Sequence, residues 1–149
     1  PQVYLGAAFG WAIPMAFAAQ TGSVPMIAWL LFIANVIWST IYDTFYAMAD
    51  REDDLLAGVK STAILFGNDD KVIIAVLQVT FLVAMLMVGS QLDMSFVYYI
   101  GVLVTLILFV YQQHLIRDRG PAQCLRAFLN NNWVGAALFA GIVAHYAVI

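Results

Sequence analysis

Five apolar runs, at residues 3–19, 26–48, 72–90, 96–116 and 133–149, leave this chain few ways to fold. Each is long enough, or nearly so, for a helix to cross a hydrocarbon core about 30 Å thick, which takes roughly 20 residues. Of the 149 residues, 64% are hydrophobic and only 10% charged, against roughly 45–50% and about 25% in an ordinary soluble domain. A water-soluble fold of this size could not hide so much apolar surface. The expected architecture is therefore all-α, a multi-spanning transmembrane helical bundle with five spans. Turn chemistry separates the runs, with QTGSVP after the first and QLDMS after the third. Pro14, inside the first run, is expected to act as a kink of the kind membrane helices tolerate. There is no internal repeat and no low-complexity tract.

The charges are distributed by loop. All six basic residues fall in two connections, Arg51, Lys60 and Lys71 in one and Arg117, Arg119 and Arg126 in the other. The two alternate connections have none. Loops rich in Lys and Arg face the cytoplasm, so this alternation puts Pro1 on the cytoplasmic side and Ile149 on the far side. Eight of the nine acids share the cytoplasmic side, Asp93 being the exception. One cysteine, Cys124, excludes an internal disulfide and a cysteine-based metal site. The first run lacks the basic start and small-residue cleavage site of a secretory signal. With no initiator Met, the chain is expected to be a fragment or a processed product.

The second run ends in an unusual way. Within twelve residues come Asp43, Asp50, Glu52, Asp53 and Asp54, with Arg51 as the only nearby cation. On a helix at 100° per residue, Asn35, Ser39, Tyr42, Asp43, Tyr46, Asp50 and Asp54 share a sector of roughly 120°. This polar stripe starts deep in the span and climbs to the carboxylates at its mouth. Polar groups in a membrane segment face a bundle interior or a wet cavity, so the stripe reads as the wall of a pocket open to the cytoplasm.

The bland alternative is a solvated charged loop after a helix end. Against it, a helix C-terminus prefers Lys or Arg to carboxylates. Two carboxylates about 5 Å apart also repel by roughly 3 kcal/mol at an effective dielectric near 20. A bound cation removes both objections. Oxygen ligands without Cys or His suit Mg²⁺, held by one or two carboxylates together with substrate phosphates. Lys60 would add a point charge for a phosphate oxygen.

The stretch YDTFYAMADREDDLLAGVKSTAILFG, residues 42–67, resembles the second aspartate-rich motif of the UbiA superfamily of intramembrane aromatic prenyltransferases. PQVYLGAAFGWAIPMAFAA at the start, FVYQQHLI at 109–116 and NNNWVG at 130–135 extend the resemblance over essentially the whole chain. Within the superfamily it is closest to bacterial members that prenylate 4-hydroxybenzoate for ubiquinone biosynthesis. The resemblance implies a nine-helix membrane enzyme of the inner membrane, with two aspartate-rich motifs facing each other across a cavity on the cytoplasmic side. This chain would be the C-terminal portion of that single domain, its last five helices, with the second motif at 42–63. The first motif, of the NDxxDxxxD kind, is absent from it, so the polypeptide alone is expected to be inactive and to need the missing N-terminal half.

Carried over residue by residue, Asp50 and Asp54 are the DxxxD pair that ligates Mg²⁺ against a polyprenyl diphosphate, and Asp43 and Lys60 complete the catalytic set. Mg²⁺ and Lys60 would stabilise charge growing on the diphosphate. Tyr42, Tyr46 and Trp38 are placed to stabilise an allyl cation through their ring faces, with plain helix packing as the alternative for each. Asn35, Ser39, Tyr42, Tyr46 and Lys60 are the expected substrate contacts. Nucleic acid is not an expected partner.

Two rival readings differ in substrate or in class. A prenyltransferase of the same superfamily could take a menaquinone, haem O or chlorophyll-type acceptor. A cation-binding transport module would more often keep its ionisable groups near the bilayer midplane, whereas the deepest acid here, Asp43, is a few turns from the helix end. His114 suits the dipole at a cytoplasmic helix end, and His145 lies near the opposite face. Gln78 is expected to bond to a neighbouring helix, and the asparagines at 130–132 to cap the last helix.

Overall fold

A computed structural model describes residues 1–148; Ile149, the end of the fifth expected run, lies outside the described residues. Among these the fold is all-α. Eight helices form: α1 (Gln2–Gly10), α2 (Ala12–Thr21), α3 (Met26–Ala49), α4 (Arg51–Ala57), α5 (Thr62–Phe66), α6 (Asp70–Gln91), α7 (Phe96–Leu115) and α8 (Pro121–Val148). Short 3₁₀ turns at Gly67–Asp69 and Ile116–Asp118 lead out of α5 and α7. Taken with their extensions they make five stretches long and apolar enough to cross a membrane. The protein is a multi-pass membrane protein.

The first span is α1 and α2 in series. They part at Trp11, which keeps helical angles (φ −60°, ψ −23°). The break falls one turn before Pro14, whose missing N–H leaves the Gly10 carbonyl without its helical partner. The interruption falls where the kink is expected.

The last span differs from its expected boundary. The run at 133–149 is only the distal part of α8, which begins twelve residues earlier, at Pro121. Proline is favoured at a first helical position because its absent N–H has no partner to lose there. The helix continues through the asparagines because they do not compete with its backbone for a turn. Asn131 instead donates back to the Ala127 carbonyl at 2.9 Å. Cys124, Ala127, Asn131 and Val134 form the buried stripe of this segment. The asparagines at 130–132 are mid-helix residues, not an N-cap.

Helix α3 is the hub, packing on α1, α6 and α8, while α7 packs mainly on α8. Small residues bring the axes together where lipid supplies no hydrophobic drive between helices. Gly6 and Gly10 of α1 face α3 so closely that a Cβ on Gly6 would sit 2.9 Å from the Ser39 Cβ. On α7 a Cβ at Gly101 would lie 2.7 Å from the Ala137 carbonyl oxygen of α8. Between these contacts lies a core that includes Ile41, Phe45, Ile74, Phe81, Phe109 and Val134. Large apolar side chains such as Val72, Leu103, Ile107, Val110 and Phe139 point outward, as lipid-facing positions do.

Polar bonds join the helices. Gln78 of α6 donates to Gln112 of α7 at 3.0 Å, and Gln112 donates to Asn130 of α8 at 3.0 Å. The Gln78 expectation holds. At one end of the bundle the Thr62 backbone N–H donates to the Gln2 side chain at 3.1 Å, and Lys71 Nζ donates to the Arg117 carbonyl at 3.0 Å. At the other end the Ser95 backbone N–H donates to His145 Nδ1 at 2.9 Å. His145 thus closes a helix start far from the acidic motif.

Candidate functional site

The deep part of the polar stripe of α3 lines a cavity. Asn35, Ser39 and Tyr42 face Phe128, Asn131 and Asn132 of α8 across a space of about 480 Å³, with Phe9 of α1 at its edge. That is within the range of small-molecule sites. Its wall is fixed by polar anchors. Trp38 Nε1 donates to Asn131 Oδ1 at 3.1 Å, and Asn35 Nδ2 donates to the Gly6 carbonyl at 3.4 Å. Rings continue the wall toward the acidic end: Trp38 meets Tyr42 edge-on at 5.8 Å, Tyr42 lies 6.0 Å from Phe128, and Tyr46 lies 5.4 Å from the same ring.

Beyond Tyr46 the helix is interrupted and at once restarted. Asp50 (φ −98°, ψ 13°) both ends α3 and precedes α4. Glu52, Asp53 and Asp54 consequently fall in the first turn of α4, where the positive end of a helix dipole favours carboxylates. The expectation that these acids sit at an unfavourable helix C-terminus is corrected: their placement needs no cation to explain it. The Asp54 N–H bonds to the Asp50 carbonyl at 2.9 Å, so one-turn spacing survives the joint and both side chains remain on adjacent turns. Both are half-buried, while Glu52 and Asp53 are exposed.

A second, smaller cavity of about 230 Å³ lies at this joint, lined in part by Asp50, Arg51, Glu52, Asp53 and Arg119. Behind it a buried carboxylate gathers three connections. Asp70, fully buried at the start of α6, receives Arg51 Nη2 at 2.7 Å, Arg119 Nη2 at 2.8 Å and the Lys71 backbone N–H at 2.7 Å. Arg51 also donates to the Ala63 carbonyl at 2.6 Å, and Arg119 to the Asn68 carbonyl at 2.7 Å. Sequence reading missed Asp70 and Arg119, along with the α8 wall of Phe128, Asn131 and Asn132.

The expected site residues thus fall in separate places. Asn35, Ser39 and Tyr42 line the large cavity and Asp50 the small one. Tyr46 is exposed, and Asp43 and Asp54 are half-buried, all three outside both linings. Lys60 is exposed in the turn after α4, apart from either cavity. Among the described residues no group of three or more His, Cys, Asp or Glu side chains is arranged to hold a metal. A closed protein cage is therefore not what this chain offers. Two oxygen donors one turn apart, neither of them in an ion pair among the described residues, do fit the open mode in which Mg²⁺ keeps waters or phosphate oxygens as its other ligands.

Known proteins resemble this chain along nearly its whole length. The model of the UbiA prenyltransferase family matches residues 1–143. A 4-hydroxybenzoate octaprenyltransferase of Nitrosococcus oceani is 60% identical over 98% of this chain and 51% of its own length. Proteins of the same name from Hahella chejuensis and Providencia stuartii are 58% and 57% identical, over 98% and 97% of this chain and 49% and 50% of their own. The chain spans about half the length of the curated relatives it matches. No solved structure matches it. With a family model covering nearly all of its length and relatives this similar, the chain belongs to the UbiA prenyltransferase family.

Proposed function

We propose that this chain is the C-terminal portion of a membrane enzyme that transfers a polyprenyl group from a polyprenyl diphosphate to the ring of 4-hydroxybenzoate, a step of ubiquinone biosynthesis. By the names of its relatives the donor is octaprenyl diphosphate. The enzyme works in the bacterial inner membrane with its site on the cytoplasmic side, and an N-terminal portion supplies the first aspartate motif. One observation carries the reading. A single helix, α3, lines the large cavity with aromatic and amide groups and ends at the carboxylate pair. Tyr42 and Asp50 are eight residues apart, about 12 Å along the helix, so a diphosphate at the joint can lay its first isoprene unit along the rings.

In this reading Asp50 and Asp54 hold Mg²⁺. When bound, that ion supplies a Lewis acid that offsets charge on the diphosphate leaving group. Lys60, on the exposed turn after α4, adds a point charge for a phosphate oxygen. Asp43, two turns deeper on α3 than Asp50, completes the carboxylates of the catalytic set. The faces of Tyr42, Tyr46 and Trp38 stabilise the allylic cation by about 0.5–2 kcal/mol each. Asn35 and Ser39 hydrogen-bond the acceptor, and the packed helices keep out water that would capture the cation first. The ring carbon beside the phenol oxygen then forms the new C–C bond and loses its proton.

The full-length protein, purified and supplied with octaprenyl diphosphate and 4-hydroxybenzoate, tests this by mass spectrometry of the product. Prenylated acid should form with Mg²⁺, cease on chelation and return when Mg²⁺ is restored. Undiminished turnover after chelation would remove the metal from the reading, and prenylation of a different phenol alone would remove the acceptor.

A further inference from the structure

Arg51 is the one cation inside the run of acids at 50–54, yet its guanidinium pairs with none of them. Its Nη2 turns away to Asp70 Oδ2 at 2.7 Å and to the Ala63 and Gly67 carbonyls at 2.6 and 3.2 Å. Arg119 behaves in the same way. It lines the small cavity beside Asp50, Glu52 and Asp53, but its Nε and Nη2 both go to Asp70, at 2.8–3.0 Å. The Asp70 carboxylate has no exposure and lines neither cavity. It cannot reach a ligand at Asp50, and can act there only through the two arginines.

A guanidinium is a strong, permanently charged partner for carboxylates. Left without Asp70, Arg119 would face Asp50, Glu52 and Asp53, which line the same small cavity, and Arg51 the acids on either side of it in the chain. There they would occupy the same oxygen lone pairs that a divalent cation needs and would weaken the negative potential that draws it. We infer that Asp70 is a positioning residue that sequesters Arg51 and Arg119 and so keeps Asp50 and Asp54 free for a divalent cation. The inference rests on the reading of Asp50 and Asp54 as metal ligands. It differs from a purely structural role in one consequence: deleting the arginines together with Asp70 should restore metal binding rather than damage it further.

The test uses the full-length enzyme in lipid nanodiscs titrated with Mn²⁺ alone, the free ion being read by its electron paramagnetic resonance signal, with thermal unfolding of each variant measured alongside. Asp50→Ala should remove one saturable Mn²⁺ site, lowering the number of ions bound. Asp70→Asn should weaken it about tenfold, and the triple variant D70N/R51Q/R119Q should return to within about threefold of wild type, the scale on which outer-shell partners act on metal affinity. Should D70N fail to fold, D70N/R119Q leaves a single guanidinium without its carboxylate, Arg51, and carries the same expectation. Wild-type affinity in D70N, or in D70N/R119Q where that stands in for it, overturns the inference, as does a triple variant as weak as D70N. An undiminished number of bound ions in Asp50→Ala overturns it at its root, because Asp50 would not be a ligand at all.

Discussion

The indole N–H of Trp38 ends on Asn131, and that bond joins the two walls of the large cavity. Asn131 is itself buried and returns its own amide to the Ala127 carbonyl, so it has little freedom to find another partner. Asn131→Ala would strand the Trp38 donor, at a cost of about 1–3 kcal/mol, whereas removing both polar partners in W38F/N131L should cost less. Thermal unfolding of the full-length protein in detergent checks this: N131A should melt below the double variant, and the reverse order would mean that the bond does not hold the wall. Asn131 was hidden from sequence reading because three consecutive asparagines read as the cap of a helix. Buried amides that bond their own helix leave no local mark. Asn35, Ser39 and Tyr42 were legible because helical periodicity alone puts them on one face, and the deep part of that face lines the cavity.

At the level of elements, packing outweighs polar bonding. Interhelical hydrogen bonds in membranes average about 0.6 kcal/mol, so the chain from Gln78 through Gln112 to Asn130 sets register more than it stabilises. Close approach at small residues is the stronger constraint. Gly6→Leu on α1 should force it off Ser39 and Val36 of α3 and destabilise the fold by about 1–3 kcal/mol, as overpacking does. Ala8→Leu, on the exposed side of the same helix, should be nearly neutral. Equal unfolding midpoints for the two variants would show that α1 and α3 do not depend on this crossing. Four of the five spans could be placed from apolar length to within a few residues at their long helices. The fifth was shortened because Arg126 and the asparagines at 130–132 break the apolar pattern, although α8 carries a buried stripe beneath them. The restart of the helix at Asp50 was likewise illegible. A sequence shows where acids cluster, not whether they end one helix or begin the next.

On the scale of the whole molecule, the helices alternate so that Arg51, Lys71, Arg117 and Arg119 meet at one end and Ser95 and His145 at the other. With the single native cysteine, Cys124, buried, introduced cysteines report sidedness cleanly. Lys60→Cys and Gln123→Cys should label from the cytoplasm, and Ser23→Cys and Asp93→Cys from the opposite face. Cytoplasmic labelling at Ser23 would invert the charge-based topology and the site's location with it. The proposed division of the site gives this chain the Asp50–Asp54 wall and an N-terminal portion the rest. Its most direct test is 4-hydroxybenzoate prenylation in membranes that contain this 149-residue chain with or without that portion, the chain being either wild type or D50A/D54A. Product should appear only when both portions are present, and should fall at least about 100-fold with D50A/D54A, as when a main electrostatic stabiliser is lost. Turnover by this chain alone, or near-wild-type turnover by the D50A/D54A pair, would rule that division out.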